Sequence, residues 1–257
     1  MNNNFIEFLG TAGARFAMIY QARSSAGIWL HYKNTDLIID PGPGALVRCR
    51  AVFPRIDPAG LDGILLTHKH LDHANDVNVM IEAMTQGGRS KRGELFVPGD
   101  ALDEKEGVVL NYLRRYPAGV TVLKPGRFSL GDVSFSVVLR NRHPVETYGI
   151  KFFLGSRVVS FVSDTEYFAD LSRAYSGTDI LVLNVVTPEK RKGIQHLSLP
   201  EAVLLCREIR PGTAVFTHFG MSMLDFDPQT REEEFSAQCG VRVKCAYDGM
   251  VLDPEEE

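Results

Sequence analysis

The sequence predicts an α/β (α+β) chain in which two mixed β-sheets pack together with helices on their outer sides. Three observations lead there. First, the 257 residues are 44% hydrophobic and 23% charged, an ordinary globular composition with enough apolar material for a large core and no need of disulfides. Second, short apolar runs alternate with turn signals and helix-period segments along the chain, and mixed strands flanked by helices need sheet layers covered by helices. Third, no Pro/Gly/Ser-rich linker, low-complexity tract or short repeat breaks the pattern, so residues 1–257 are expected to form a single domain.

Phe5 to Leu9, Gly27 to Tyr32 and Leu37 to Asp40 read as strands, with Asn34 at the turn between the last two. Leu61 to Thr67 is a strand that ends in a histidine cluster. Asn75 to Met84 carries Val77, Met80, Ile81 and Met84 at helical spacing. Glu94 to Val97 is a strand stopped by Pro98 and Gly99, and Leu102 to Tyr116 is expected to be helical. Val120 to Leu123, Val133 to Leu139, Tyr148 to Leu154 and Arg157 to Val162 are strand-like, with Gly155-Ser156 as a hairpin turn. The second half repeats the alternation: helix Tyr167 to Tyr175, strand Ile180 to Val185, helix Leu199 to Ile209, strand Ala214 to Thr217, helix Gln229 to Gln238, then two short closing strands. Pro200 falls in the first turn of its helix, where a missing N–H costs little.

The formal charge of −4 excludes a protein that grips nucleic acid by bulk electrostatics. The start, MNNNFIEFLG, has neither a basic segment nor a long apolar one, and no run of about 18 apolar residues is available to span a bilayer. Cys49, Cys206, Cys239 and Cys245 form no C-x-x-C pair, which argues against a zinc ribbon or redox motif. The expectation is a soluble, reduced, cytoplasmic protein without a membrane partner.

The decisive segment is Thr67-His68-Lys69-His70-Leu71-Asp72-His73, directly after an apolar strand. Alternate residues of an extended segment point the same way, so His68 and His70 can face one metal. The chain then turns into a helix, and Asp72 and His73 can face a second. Neutral imidazole with carboxylate suits zinc, manganese or iron. His143, His218 and Asp164 each follow an apolar strand, and His196 precedes a helix, so all four lie where loops gather into a site. Taken alone, Asp164 could be a helix cap, and His196 could cap the helix from Leu199.

THKHLDH, His143, Asp164 in SDT and His218 in THFG match in order the ligand motifs of the metallo-β-lactamase superfamily, and the chain resembles that family over nearly its whole length. The opening LGTAGAR and the IIDPG segment at Asp40 are also similar to it. The resemblance implies an αββα sandwich with two divalent metal ions at one edge, Zn²⁺ foremost. It places His68, His70 and His143 on one ion and Asp72, His73 and His218 on the other, with Asp164 bridging. His196 in HLSLPEA resembles the extra histidine of the phosphodiesterase branch, which includes ribonuclease Z and the cyclic-phosphate phosphodiesterase that accompanies carbon–phosphorus lyase. The LGT opening followed by Ser24 and Ser25 is similar to that branch too. Ribonuclease Z carries a long Gly/Pro-rich arm, usually between the motifs of His143 and Asp164. Here those residues are 21 apart with a hairpin between them, which argues against tRNA as a partner.

Arg140 and Arg142 flank His143, and Lys190, Arg191 and Lys192 precede His196. They fit an anion-recognising rim, since Arg forks match phosphate oxygens, or a solvated charge run. Arg89, Lys91 and Arg92 in QGGRSKRG read as a mobile polar loop that could cover the site as a lid. Gly10 and Gly13 do not complete a G-x-G-x-x-G pattern, so a dinucleotide loop is rejected. His31 alternates with Trp29 on a strand and is expected to be structural.

The functional expectation is a dinuclear metal-dependent hydrolase of a small or cyclic phosphodiester, with Asp72 and His196 as catalytic residues. A homodimer is compatible with the sequence. The alternatives are a lactone or thioester hydrolase on the same scaffold, which needs the metals but not His196, and a tRNA 3′-processing endonuclease. An iron oxidoreductase and a scaffold with a silent site are further alternatives.

Overall fold

The computed structural model describes residues 4–25 and 27–256; Met1 to Asn3, which open the segment read for a leader, lie outside them. The chain begins with an antiparallel meander, β1 (Phe5–Phe8), β2 (Ile28–Tyr32) and β3 (Thr35–Ile39), then adds β4 (Gly63–Leu65), β5 (Glu94–Val97) and β6 (Gly119–Val122) in parallel. The second sheet starts the same way. β7 (Gly126–Leu130), β8 (Val133–Arg140), β9 (Tyr148–Leu154) and β10 (Arg157–Val162) are antiparallel. They are followed by parallel β11 (Ile180–Thr187), the short β12 (Leu197–Ser198), β13 (Thr213–Thr217) and β14 (Arg242–Cys245). β15 (Met250–Leu252) returns to the first sheet beside β1.

Three apolar clusters explain the layers. Leu37 and Ile39 of β3 and Ile180 and Val182 of β11 point between the sheets, where they meet Phe8, Phe135 and Phe152. The intervening Ile38 packs outward against Cys49 of α2 (Ala45–Ala51) and Met80, Ile81 and Met84 of α4 (Val77–Thr85). Leu181 and Leu183 pack outward against α6 (Leu199–Ile209) and α8 (Glu232–Cys239). Strands buried on both faces read as continuous apolar runs, and successive side chains supply two cores at once. The result is the αββα sandwich. All four cysteines are buried and free, behaving as small hydrophobes. Among the described residues no helix is long and apolar enough to cross a membrane.

Several elements differ from expectation. Leu102 to Tyr116 is not a helix but two 3₁₀ turns, Gly99–Leu102 and Asn111–Arg115, joined by a loop. The Asp103 carboxylate accepts the N–H groups of Lys105 and Glu106 at 2.8 and 2.9 Å, and this local bonding competes with helix formation. The helix expected over Asn75 to Met84 is α4, which starts at Val77 and ends at Thr85, and a separate short helix, α3 (Leu71–Ala74), precedes it. Tyr167 to Tyr175 narrows to α5 (Asp170–Ala174), and Gln229 to Gln238 splits into a 3₁₀ turn and α8. Elements absent from the sequence reading include α1 (Ala14–Tyr20), β7 and α7 (Met221–Asp225). α1 buries only Ala17 and leaves Phe16, Ile19 and Tyr20 exposed, so it lacks the apolar stripe that periodicity detects. His31 is structural as expected, bonded to Asp36 at 2.9 Å and stacked on Phe5.

Phe135 closes the space between the sheets, with ring centroids 5.1 Å from Phe96, 5.4 Å from Phe128 and 5.5 Å from Phe152. Phe135→Ala is expected to cost about 3–5 kcal/mol, read from denaturant unfolding at unchanged m-value. A loss below about 1 kcal/mol would show that this aromatic cluster does not hold the layers.

Candidate metal centre

The carboxyl ends of β4, β10 and β13 meet at one edge of the sandwich, where open α/β sheets gather ligands. β4 runs out through Thr67 to His68 and into α3, which carries Asp72 and His73. β10 ends just before Asp164, and β13 just before His218. His143 comes from the loop between β8 and β9, and His196 from the residue before β12.

All seven residues expected as metal ligands converge. His68, His70, His143 and Asp164 form one group that could hold a cation, and Asp72, His73, Asp164 and His218 form another, with ligand atoms within 4.8 Å of one another. Asp164 is 1% exposed. Its carboxylate stands 3.5 Å from His68 Nε2, His73 Nε2, His196 Nδ1 and His218 Nδ1, and 3.8 Å from His143 Nε2. Asn184 Nδ2 donates to its Oδ1 at 2.9 Å.

The donor set fits cations. Among the described residues seven buried side-chain polar atoms lack a partner, and three of them belong to the candidate ligands: His68 Nε2, Asp164 Oδ2 and His218 Nδ1. Ring nitrogens also face one another, His73 Nε2 to His218 Nε2 at 2.7 Å and His70 Nδ1 to His143 Nε2 at 3.0 Å. A buried polar atom without a partner is costly, and lone pairs converging on one point are satisfied by a metal ion.

Residues behind the cluster aim the imidazoles. Asp40 accepts from the Thr67 N–H and hydroxyl, both at 2.6 Å, and from His73 Nδ1 at 2.9 Å. The proton is thereby held on Nδ1 and Nε2 faces the site. The Gln195 carbonyl does the same for His143 Nδ1 at 2.9 Å, and Thr67 Oγ1 lies 3.1 Å from His68 Nδ1. The Ala14 N–H donates to Asp72 Oδ2 at 2.9 Å. Sequence reasoning placed none of Asp40, Thr67, Ala14, Asn184 or Gln195 in a role. The IIDPG and LGTAGAR segments were the signal for Asp40 and Ala14.

Two electrostatic classes coexist. Burial lowers the His70 pKa to about 4 and that of His143 to about 3, and it lowers His68 as well. Burial also opposes charge on His73, but Asp72, Asp164 and Asp40 outweigh it and raise its pKa well above the ordinary value. Burial would raise Asp72 and Asp164; the neighbouring imidazoles, His73 for Asp72 and His218 and His196 for Asp164, pull both below the carboxylate range. His196 is raised because Asp164 overcomes its burial.

A groove lies over the cluster in two lobes, both lined by Ala14, Arg15, His70 and His196. The smaller, about 370 Å³, reaches Met18 and Leu71. The larger, about 830 Å³, runs between α1, the 191–196 loop and α7. Arg140, Arg142 and Lys190 line neither lobe, contrary to the sequence expectation. Arg140 ends β8, exposed. Arg142 lies over the Phe168 ring and 3.9 Å from Glu166. Lys190 pairs with Glu201 at 2.7 Å, and Glu201 closes the capping box of α6 with Ser198. The cap of α6 is therefore Ser198, not His196. Arg15 and Arg191 are the basic residues of the groove. The 86–93 loop leads into the amino end of β5, whereas the ligands sit at the carboxyl end of the parallel β4, so it is no lid.

A family model described as a β-lactamase superfamily domain matches residues 35–219. The uncharacterized protein MJ1374 of Methanocaldococcus jannaschii is 30% identical over 257 residues, covering 96% of this chain and 94% of its own. The probable metallo-hydrolase YhfI of Bacillus subtilis is 23% identical over 199 residues, 76% of this chain and 80% of its own. The YhfI crystal structure superposes with a TM-score of 0.81 at 18% identity, covering 97% of this chain and 98% of that one. A diphosphatase of the PhnP family superposes with a TM-score of 0.66 at 19% identity over 97% of each chain. Both superpositions establish the fold.

Asp40→Asn is expected to weaken Zn²⁺ binding about 10–100-fold, measured by competition with a chromogenic chelator, because it puts an amide N–H where His73 needs an acceptor. Unchanged affinity would remove Asp40 from the support of His73. Zn²⁺ uptake near neutral pH is also expected to release protons, since the raised His73 must lose one to become a ligand. Calorimetric enthalpies in buffers of different ionisation heat would show it, and buffer-independent enthalpies would contradict it.

Proposed function

The chain belongs to the metallo-β-lactamase superfamily of metal-dependent hydrolases, and from that premise we propose that it cleaves a small or cyclic phosphodiester. His196 carries this reading. Its Nδ1 lies 3.5 Å from Asp164, yet it belongs to none of the groups of side chains that could hold a cation, the third being Asp40, His68 and His73. A catalytic zinc keeps one position open, so an imidazole at the site but outside both ligand sets is placed to serve the substrate. A lactone or thioester hydrolase has no need of it. The diphosphatase among the structural neighbours is consistent with phosphorus chemistry on this fold.

His68, His70 and His143 with Asp164 would hold one divalent ion, and Asp72, His73 and His218 with Asp164 the other. Zn²⁺ suits the imidazole-carboxylate donors, and Mn²⁺ or iron would also be accepted. When bound, the pair supplies Lewis-acid polarisation of the phosphate oxygens and of an attacking water. The chain's own residues do the rest. Asp40, Thr67 and the Gln195 carbonyl fix the imidazole rings, and the Ala14 N–H fixes Asp72. His196 donates a proton to the leaving oxygen or a hydrogen bond to the charge that develops there.

Substrate size follows from the outline of the site. The stretch between His143 and Asp164 is the β9–β10 hairpin, which offers no arm for a long polyanion, and the protein is net acidic. The pure protein is expected to cut bis(p-nitrophenyl) phosphate and not to trim a precursor tRNA. Accurate release of a tRNA 3′ trailer would overturn the small-substrate reading.

His196→Ala should keep both metals and lose about 10²–10⁴-fold in rate on diesters with poor leaving groups. The loss should shrink for p-nitrophenolate, which departs without a proton. Loss of metal would make His196 a ligand, and unchanged rates on both substrates would favour the lactone or thioester reading. Asp164→Ala should lose most activity and part of the metal; a fully active variant would refute the bridging assignment.

A further inference from the structure

We propose that the larger lobe of the groove is a nucleoside subsite, with Phe16 against the base and Asp225 and Arg191 reading its polar edge. The inference rests on the phosphodiesterase reading and says which arm the diester carries. A phosphodiester has two arms, and the two lobes that open from His70 and His196 are unequal, about 830 against 370 Å³. The bulkier arm therefore belongs in the larger lobe.

The chemistry of that lobe is of two kinds. Phe16 is 62% and Ile194 37% exposed, and with Met221 they give the lobe partly exposed apolar surface. Asp225 and Arg191 stand in the same lobe, and neither side chain has an ion-pair partner among the described residues. A purely aliphatic arm would desolvate that acceptor and that donor without replacing their hydrogen bonds. A bare sugar phosphate would leave Phe16 uncovered. A nucleobase satisfies both demands, because its faces are apolar and its edge carries donors for Asp225 and acceptors for Arg191. The carboxylate on the wall also disfavours a run of further phosphates, so a single nucleoside fits where a polynucleotide does not.

Aromatic stacking of a base is worth about 5- to 150-fold in affinity. The test is calorimetry on the zinc-loaded protein with AMP, ribose 5-phosphate and methyl phosphate, repeated with Phe16→Ala. Phe16 is exposed, so the variant should fold. The expected result is AMP binding at least about tenfold tighter than ribose 5-phosphate, with Phe16→Ala bringing the two together. Equal dissociation constants for the three ligands in the wild-type protein would overturn the proposal. So would a Phe16→Ala variant that weakens all three alike. Hydrolysis of bis(p-nitrophenyl) phosphate without AMP preference keeps the phosphodiesterase reading and removes this one. AMP preference without diester hydrolysis does the reverse.

Discussion

The Asp164 carboxylate, 1% exposed, has five imidazoles within 3.8 Å. A buried charge costs several kcal/mol after relaxation unless other charges and hydrogen bonds compensate it. The compensating groups here come from the loops after β4, β8 and β13 and from the residue before β12, so no local segment can supply them. Only a fold that delivers all these strand ends to one edge can bury Asp164. The repeated plan of the two sheets, antiparallel meander followed by parallel strands, does so twice and sets the two edges together. The sandwich core and the ligand cluster are in this sense one requirement.

The backbone around the cluster is held in conformations that side chains disfavour. Ala14, Asp40 and His218 have φ of 63°, 51° and 59°, each costing about 1–3 kcal/mol. Each is tied down nearby. Ala14 donates to Asp72, Asp40 accepts from Thr67 and His73, and the residues beside His218 are pinned by Phe219 N–H to Thr11 at 2.8 Å and Gly13 N–H to Phe219 at 3.0 Å. Space is as tight as torsion. A Cβ on Gly13 would strike the His218 ring, and one on Gly42 would strike the carbonyl oxygens of Asp72 and Ser25. The LGTAGAR and IIDPG segments are thus the wall against which the ligands rest.

This explains what was legible in the sequence. The candidate ligands were legible because H-x-H-x-D-H concentrates donors in one short segment and the other candidates sit at strand ends. The strands were legible because burial on both faces makes them continuous apolar runs. α1 was not, because its apolar residues face the groove and solvent instead of the core. The 102–116 segment misled because its apolar residues have helical spacing while Asp103 binds its own neighbours' N–H groups. Lys190 and Arg142 misled because charge and proximity in sequence do not reveal a side chain's partner: one pairs with Glu201, the other covers Phe168. Arg15 gave no signal, since its place in the groove depends on a helix without periodicity.

The imidazoles divide by what surrounds each of them. His68, His70 and His143 are kept neutral chiefly by burial and are ready as ligands without losing a proton. His73 sits among Asp72, Asp164 and Asp40, whose charges favour its protonated form. A raised imidazole contributes to the stability of the metal-free fold below its ordinary pKa and loses that contribution as pH rises through the raised value. The lowered carboxylates contribute above their ordinary range and lose that contribution on acidification. A cation at the proposed site would replace the His73 proton, but His196 lies outside both candidate ligand groups, so a cation need not displace its proton. On the proposed reading, that difference, written in position and not in residue type, is what would separate a ligand from a group free to act on the substrate.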